Sequence, residues 1–131
     1  MLFEEVTEKI IAAAYTVYNK MGFGYLEKVY EKCMLIELKK YTDLDVRYQC
    51  PVKVEYEGQD VGDFIADYVI NDQIIVELKS VITLVPAHEV QLVNYLKATG
   101  IEIGLLINFG QEKVDIRRKS RQLSHNANNA D

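Results

Sequence analysis

The chain has 131 residues, 49% of them hydrophobic and 27% charged, with a formal net charge of −5 and a pI near 5.1. Such a composition is ordinary for a globular protein, and this length suits one core burying about two-thirds of the unfolded surface. No segment approaches the ~20 apolar residues of a membrane-spanning helix, and the acidic balance argues against holding nucleic acid by bulk electrostatics.

The amino-terminal MLFEEVTEK lacks the basic and apolar regions of a secretory signal, and the cysteines, Cys33 and Cys50, form no metal-ligand spacing. A cytoplasmic setting with free thiols is expected. His88 and His125 are far apart and without a cysteine cluster, which excludes a structural zinc site of the usual type. Carboxylates can still hold a hard cation.

In chain order, Val6, Ile10, Ala13 and Val17 give residues 4–20 the spacing of an amphipathic helix, ending at Met21-Gly22-Phe23-Gly24. A second helix is predicted from about Leu26, with an apolar stripe of Leu26, Val29, Tyr30, Cys33 and Ile36 and with Lys39 and Lys40 at its C-terminus. Cys33 is expected in the core. From Val46 the period changes to two: VRYQCPVKVEY, a turn at EGQD, VGDFIADYVI, a turn at Asn71-Asp72, and QIIVELKS read as an antiparallel meander. Pro51 removes a ladder donor, so the first strand belongs at an edge or carries a bulge. Pro86 suits the first turn of a third helix and Gly100 its C-terminal cap. The run IEIGLLINF reads as a strand buried on both faces, and one more strand is expected from Lys113 to about Lys119. Lys113, Arg117, Arg118, Lys119 and Arg121 make that last segment basic, either as a phosphate-contacting surface or as a solvated run. The order predicts an α/β fold with helices against one mixed sheet, residues 1–122 forming a single domain and residues 123–131 a disordered tail.

Within this frame Asp67, Glu77 and Lys79 carry chemistry. Phosphodiester hydrolysis uses a divalent cation to polarise the phosphate and activate water, and such cations bind clustered oxygens. Glu77 and Lys79 share one face of a strand while Leu78 turns into the apolar layer and offers its main-chain oxygen to the metal. Lys79 would stabilise the developing anion or orient the water. Whether Asp67 joins them depends on register. Pairing Ile70 with Ile74 across a turn of Asn71, Asp72 and Gln73 puts Asp67 opposite Glu77, with Cβ atoms roughly 4.5 to 5.5 Å apart. A two-residue turn would put Asp67 against Val76, on the wrong face. The odd-numbered turn is therefore predicted. The ExK spacing alone is uninformative, because Ile36-Glu37-Leu38-Lys39 repeats it on a helical pattern, where positions two apart do not face each other. An ion pair between Glu77 and Lys79 on a half-exposed strand accounts for the same spacing.

The segment Gly24-Tyr25-Leu26-Glu27-Lys28-Val29-Tyr30, followed by Glu31, resembles the signature of the small bacterial and archaeal GxxExxY proteins, a branch of the PD-(D/E)xK nuclease superfamily. The similarity continues through FIADYVI, VELKS, HEVQLVNYL and GLLINF to about Arg118. It implies a restriction-endonuclease-like αβββαβ core, its mixed sheet flanked by helices, with an extra N-terminal helix. It also implies a Mg²⁺- or Mn²⁺-dependent nuclease acting on DNA or RNA. In that reading Asp67, Glu77 and the Leu78 carbonyl bind the metal, Lys79 is the catalytic lysine, and Glu27 is the acid such families add from a helix. Gln91 and Tyr95 match the QxxxY motif of RecB-like nucleases, which positions the nucleic-acid strand. Phe23 departs from the proline that relatives often carry between the two glycines, which alters turn stiffness more than chemistry.

Read from the residues alone, Glu27 near a helix start is also explained by the macrodipole. Tyr95 fits a buried tyrosine with a satisfied hydroxyl, and His88, on the same polar stripe, fits either a structural group or a general base. A non-catalytic module that keeps the nuclease fold and binds nucleic acid or protein is the alternative. A homodimer is open.

Overall fold

The helical stripes and alternating strands read above fold, in a computed structural model that describes residues 2–121, into α1 (Glu4–Met21), α2 (Glu27–Lys39), β1 (Val46–Tyr56), β2 (Gln59–Ile70), β3 (Ile74–Lys79), α3 (Pro86–Thr99), β4 (Ile103–Phe109) and β5 (Val114–Ser120). The strands form one sheet in the order β1-β2-β3-β4-β5. All neighbours are antiparallel except β3 and β4, which run parallel and are joined through α3. This is the expected αβββαβ core, preceded by α1 and followed by β5. The expected tail, residues 123–131, lies outside the described residues. Among the described residues no helix is long and apolar enough to cross a membrane.

Two apolar layers hold the sheet. Ile10, Ala13, Ala14 and Val17 of α1 and Tyr30, Met34 and Leu38 of α2 pack with Tyr68, Ile70, Ile74, Val76, Leu78, Leu105 and Phe109, and Cys33 packs against their edge. Leu92 and Leu96 of α3 cover Val69, Ile75 and Leu106 in the second layer. β4 from Ile103 to Ile107, and β3 from Ile74 to Val76, are therefore apolar on both faces, as the unbroken apolar run of β4 requires. Gly104 lets α3 approach β4: a Cβ there would lie 2.8 Å from Leu92 Cδ1.

Turn chemistry sets both registers of the meander. Glu57 and Gly58, with φ of 50° and 78°, form a two-residue turn with both centres left-handed, the geometry whose twist matches an antiparallel pair. The turn is thus shorter than the expected EGQD, and Gln59 and Asp60 pair with Tyr56 and Glu55. β1 is an edge strand, which accommodates Pro51 opposite Ile65. Between β2 and β3, Asn71 and Asp72 have φ of 55° and 54°, and Gln73 N–H donates to Ile70 O at 2.9 Å. Asn71 is held further by Asp45, whose N–H donates to Asn71 Oδ1 at 2.7 Å. Gln73 is the extra residue, and Ile70 pairs with Ile74 as predicted.

Candidate active site

The pairing of β2 with β3 runs from Ile70–Ile74 to Tyr68–Val76 and stops there. One step further the same register sets Asp67 against Glu77. Their carboxylates take over the amides that the ladder releases: Asp67 N–H donates to Glu77 Oε2 and Leu78 N–H donates to Asp67 Oδ2, each at 2.8 Å. Both side chains are consequently held at the split between the strands, with each residue 9% exposed. Leu78 points into the apolar layer as expected.

α2 delivers two more acids from its first turns. Glu27 begins the helix, where the macrodipole favours a negative charge, and Glu31 follows one turn later on the same face. Carboxylate oxygens of Glu27, Glu31 and Asp67 lie within 4.8 Å of one another. Glu31 is 4% exposed, and its Oε1 accepts from Lys28 Nζ at 3.2 Å, Tyr48 OH at 3.1 Å and Gln49 Nε2 at 2.8 Å. Tyr68 OH donates to the main-chain oxygen of Glu31, tying α2 to β2. The sequence reading missed Glu31 as a site residue. Its i+4 relation to Glu27 was the available signal.

The glycine-rich turn before α2 fixes where these acids stand. Gly22 and Gly24 have φ of 72° and 115°, and Tyr30 OH reaches back to donate to Gly22 O. Tyr30 is fully buried and stacks on Phe109 at 4.4 Å, so the turn is anchored to β4. Ser80 Oγ donates to Tyr25 O at 2.8 Å and closes the turn against the end of β3.

Burial raises the proton affinity of the cluster. It lifts Asp67 to about 6, with Leu78 N–H and Lys79 pulling down and the charges of Glu31 and Glu27 pushing up. It lifts Glu77 to about 8, reinforced by Asp67 and Glu27 and opposed by the Asp67 N–H and Lys79. Glu27 is raised too, first by burial, with Lys79 opposing and Glu31 adding. Lys79 thus acts on all three acids. Buried oxygen donors whose negative charges repel one another are the set a hard divalent cation relieves, so these residues fit such an ion.

A family profile for the PD-(D/E)XK nuclease superfamily matches residues 4–119. The chain belongs to that superfamily. Among solved structures it is similar to the crystal structure of SSO0001, at a TM-score of 0.59 and 15% identity over 79% of this chain. At that identity the likeness shows a shared fold, and the chain spans 58% of that protein's length. No curated protein matches the sequence.

The other expected site residues of this nuclease-superfamily chain are on α3. Tyr95 stacks face to face on Phe64 at 3.5 Å, one turn after Gln91 on the same helix. Burial raises the Tyr95 hydroxyl, and the charges of Glu77 and Asp67 raise it further, which places it within their field. Gln91 is exposed. His88 accepts from Val85 N–H at its Nδ1 at 3.2 Å, which satisfies a free donor at the helix start. Glu37 and Lys39, the ExK repeat, stay on α2, where Glu37 pairs with Lys40 at 3.0 Å.

The basic segment forms β5 and its two flanks, and four of its five cations, all but Lys113, are bonded among the described residues. Arg117 meets Asp115 at 2.8 Å and Glu89 at 3.0 Å, Lys119 meets Glu89 at 2.5 Å, and Arg121 meets Glu102. Arg118 donates to Leu2 O at 2.5 Å.

Proposed function

We propose that this chain is a Mg²⁺- or Mn²⁺-dependent nuclease of the GxxExxY branch that hydrolyses phosphodiester bonds of DNA, or of RNA, with residues 1–122 acting as one domain. The observation that carries the reading is the convergence of Glu27, Glu31 and Asp67 within 4.8 Å at the point where β2 leaves β3, beside Glu77 and Lys79. Asp67, Glu77 and the Leu78 carbonyl would hold the ion, with Glu27 assisting it or its water. When bound, the ion polarises a phosphate oxygen and lowers the pKa of a water. Lys79 stabilises the charge developing on the phosphate, its ammonium already among the acids. Gln91 and Tyr95 position the nucleic-acid strand from α3. The free thiols of Cys33 and Cys50 suit a cytoplasmic setting.

Purified protein is expected to cut single- or double-stranded substrates only with a divalent metal present, and Glu77→Ala or Lys79→Ala should abolish cutting. Undiminished cutting by either variant would sink the assignment. The internal pairing of Arg117, Lys119 and Arg121 favours a second reading, a binding module without catalysis. Calorimetric titration with Mn²⁺ separates the two: a module without a metal site gives no heat that depends on Asp67 and Glu77.

A further inference from the structure

Gln49 lies inside β1, yet its φ is 56°, a left-handed conformation that residues bearing a Cβ adopt at a cost. In an extended strand Tyr48 and Gln49 would point to opposite faces. The left-handed backbone cancels that alternation, and both side chains end on the same atom, Glu31 Oε1, at 3.1 and 2.8 Å. The neighbouring pairs are Tyr48–Tyr68 and Cys50–Ala66, so the interruption falls at the level of Asp67. This distortion of the edge strand, separate from the register shift at Val54 and Glu55, thus stands beside one acid of the site and reaches another.

The bond has a defined sense. An ionised carboxylate offers only acceptors, so the amide nitrogen must face Glu31. Oε1 takes all the side-chain donors that Glu31 receives, Lys28 Nζ, Tyr48 OH and Gln49 Nε2, while no described donor is bonded to Oε2. Lys28 is the weakest constraint, because its side chain is 56% exposed. The two strand residues therefore orient the carboxylate.

We propose that Gln49 is a positioning residue of the metal site: it holds Glu31 by Oε1 and leaves Oε2 to join, beside Glu27, the divalent ion that Asp67, Glu77 and the Leu78 carbonyl would hold. The inference rests on the metal-dependent reading of the site. Partners that orient a ligand in this way govern affinity, because each ligand must meet the ion in a fixed direction.

The test is calorimetric titration of the full chain with Mn²⁺ for wild type, Gln49→Gly, Gln49→Asn, Glu31→Gln and the double variant Gln49→Gly/Glu31→Gln. Thermal melts in EDTA set a working temperature below every unfolding transition, so that a change in Kd is not a change in folded fraction. Glycine keeps the left-handed backbone and deletes the amide, whereas asparagine tolerates that backbone and keeps a shorter amide. Gln49→Gly is expected to weaken Mn²⁺ binding by about 10- to 100-fold, as for other groups that orient a metal ligand. Gln49→Asn should recover part of the loss, and the double variant should bind no more weakly than Glu31→Gln alone. Should Gln49→Gly not fold, Gln49→Asn carries the comparison. Wild-type affinity in the Gln49 variants, or losses that add in the double variant, would overturn the role of Gln49 and leave the nuclease reading intact. Absence of Mn²⁺ binding in wild type would instead overturn the metal site and this inference with it.

Discussion

Asp67 and Glu77 each bond a main-chain amide of the other's strand, and this reciprocal pair is what keeps two buried acids at the end of a ladder without a third partner. The arrangement has an electrostatic cost that depends on pH. Unfolded, the two groups ionise near 3.8 and 4.5; folded, they ionise at about 6 and about 8. The folded state therefore binds more protons across that interval, and its stability must fall as pH rises from the lower values to the upper ones. Metal-free protein is expected to melt at a higher temperature near pH 5 than near pH 8, other groups being equal, by the same linkage. Glu77→Gln should flatten this dependence, because the amide has no proton to lose while its oxygen still accepts Asp67 N–H. Melts in EDTA across that range are the measurement, and an equally steep fall in the variant would contradict the account. A bound divalent ion removes the same repulsion at neutral pH, so Mn²⁺ should raise the wild-type melting temperature most where the acids are ionised.

Among the elements, α2 and the β2–β3 hairpin bring the acids together, and α3 closes the other face. Tyr30 carries the motif's last position not by touching the site but by bonding Gly22 O and stacking on Phe109, so that the turn before Glu27 cannot drift from the sheet. Gly104 plays the comparable part under α3. A methyl group there meets Leu92 Cγ and Cδ atoms at 2.8 to 3.0 Å, inside any relaxed contact, and must push the helix or its leucine aside. Gly104→Ala should therefore destabilise the fold by about 1–3 kcal/mol, the usual range for overpacking a dense interior. Urea unfolding measures it, and a neutral result would mean that Leu92 repacks freely. Because α3 carries Gln91 and Tyr95, the same shift should also loosen the stacking of Tyr95 on Phe64.

For the molecule as a whole, the net charge is −5, and Arg117, Lys119 and Arg121 are engaged by Glu89, Asp115 and Glu102 rather than held open for a polyanion. Glu89 is the key partner, since it holds both Arg117 and Lys119. Glu89→Gln should release Lys119, while Arg117 stays on Asp115, and so strengthen binding of a labelled oligonucleotide at low salt and steepen the dependence of affinity on salt concentration by about one released counterion. Fluorescence anisotropy at several salt concentrations reads both quantities. An unchanged slope would mean that β5 does not meet the nucleic acid at all.

Element type, chain order and the Asp67–Glu77 register were legible in the residues, because period-two alternation, the Asn71-Asp72-Gln73 turn and the glycine caps are local signals read within a few positions. Pro51 marked the edge strand for the same reason, through the donor it lacks. The end of the ladder at Tyr68–Val76, the arrival of Glu31 beside Asp67, and the pairing of the basic strand with Glu89 were not legible. The last two join residues 28 or more positions apart, and only packing of α2 and α3 on opposite faces of the sheet brings them together. Gln49 belongs with them: in sequence it is one more residue of an alternating strand, and its left-handed backbone goes with the meeting of two consecutive side chains at one carboxylate. The sequence by itself thus determined which elements form and which acids share a strand face. The tertiary structure decided which further groups surround those acids and which charges are already spent on one another, because long-range contacts depend on how whole layers pack and leave no periodic trace along the chain.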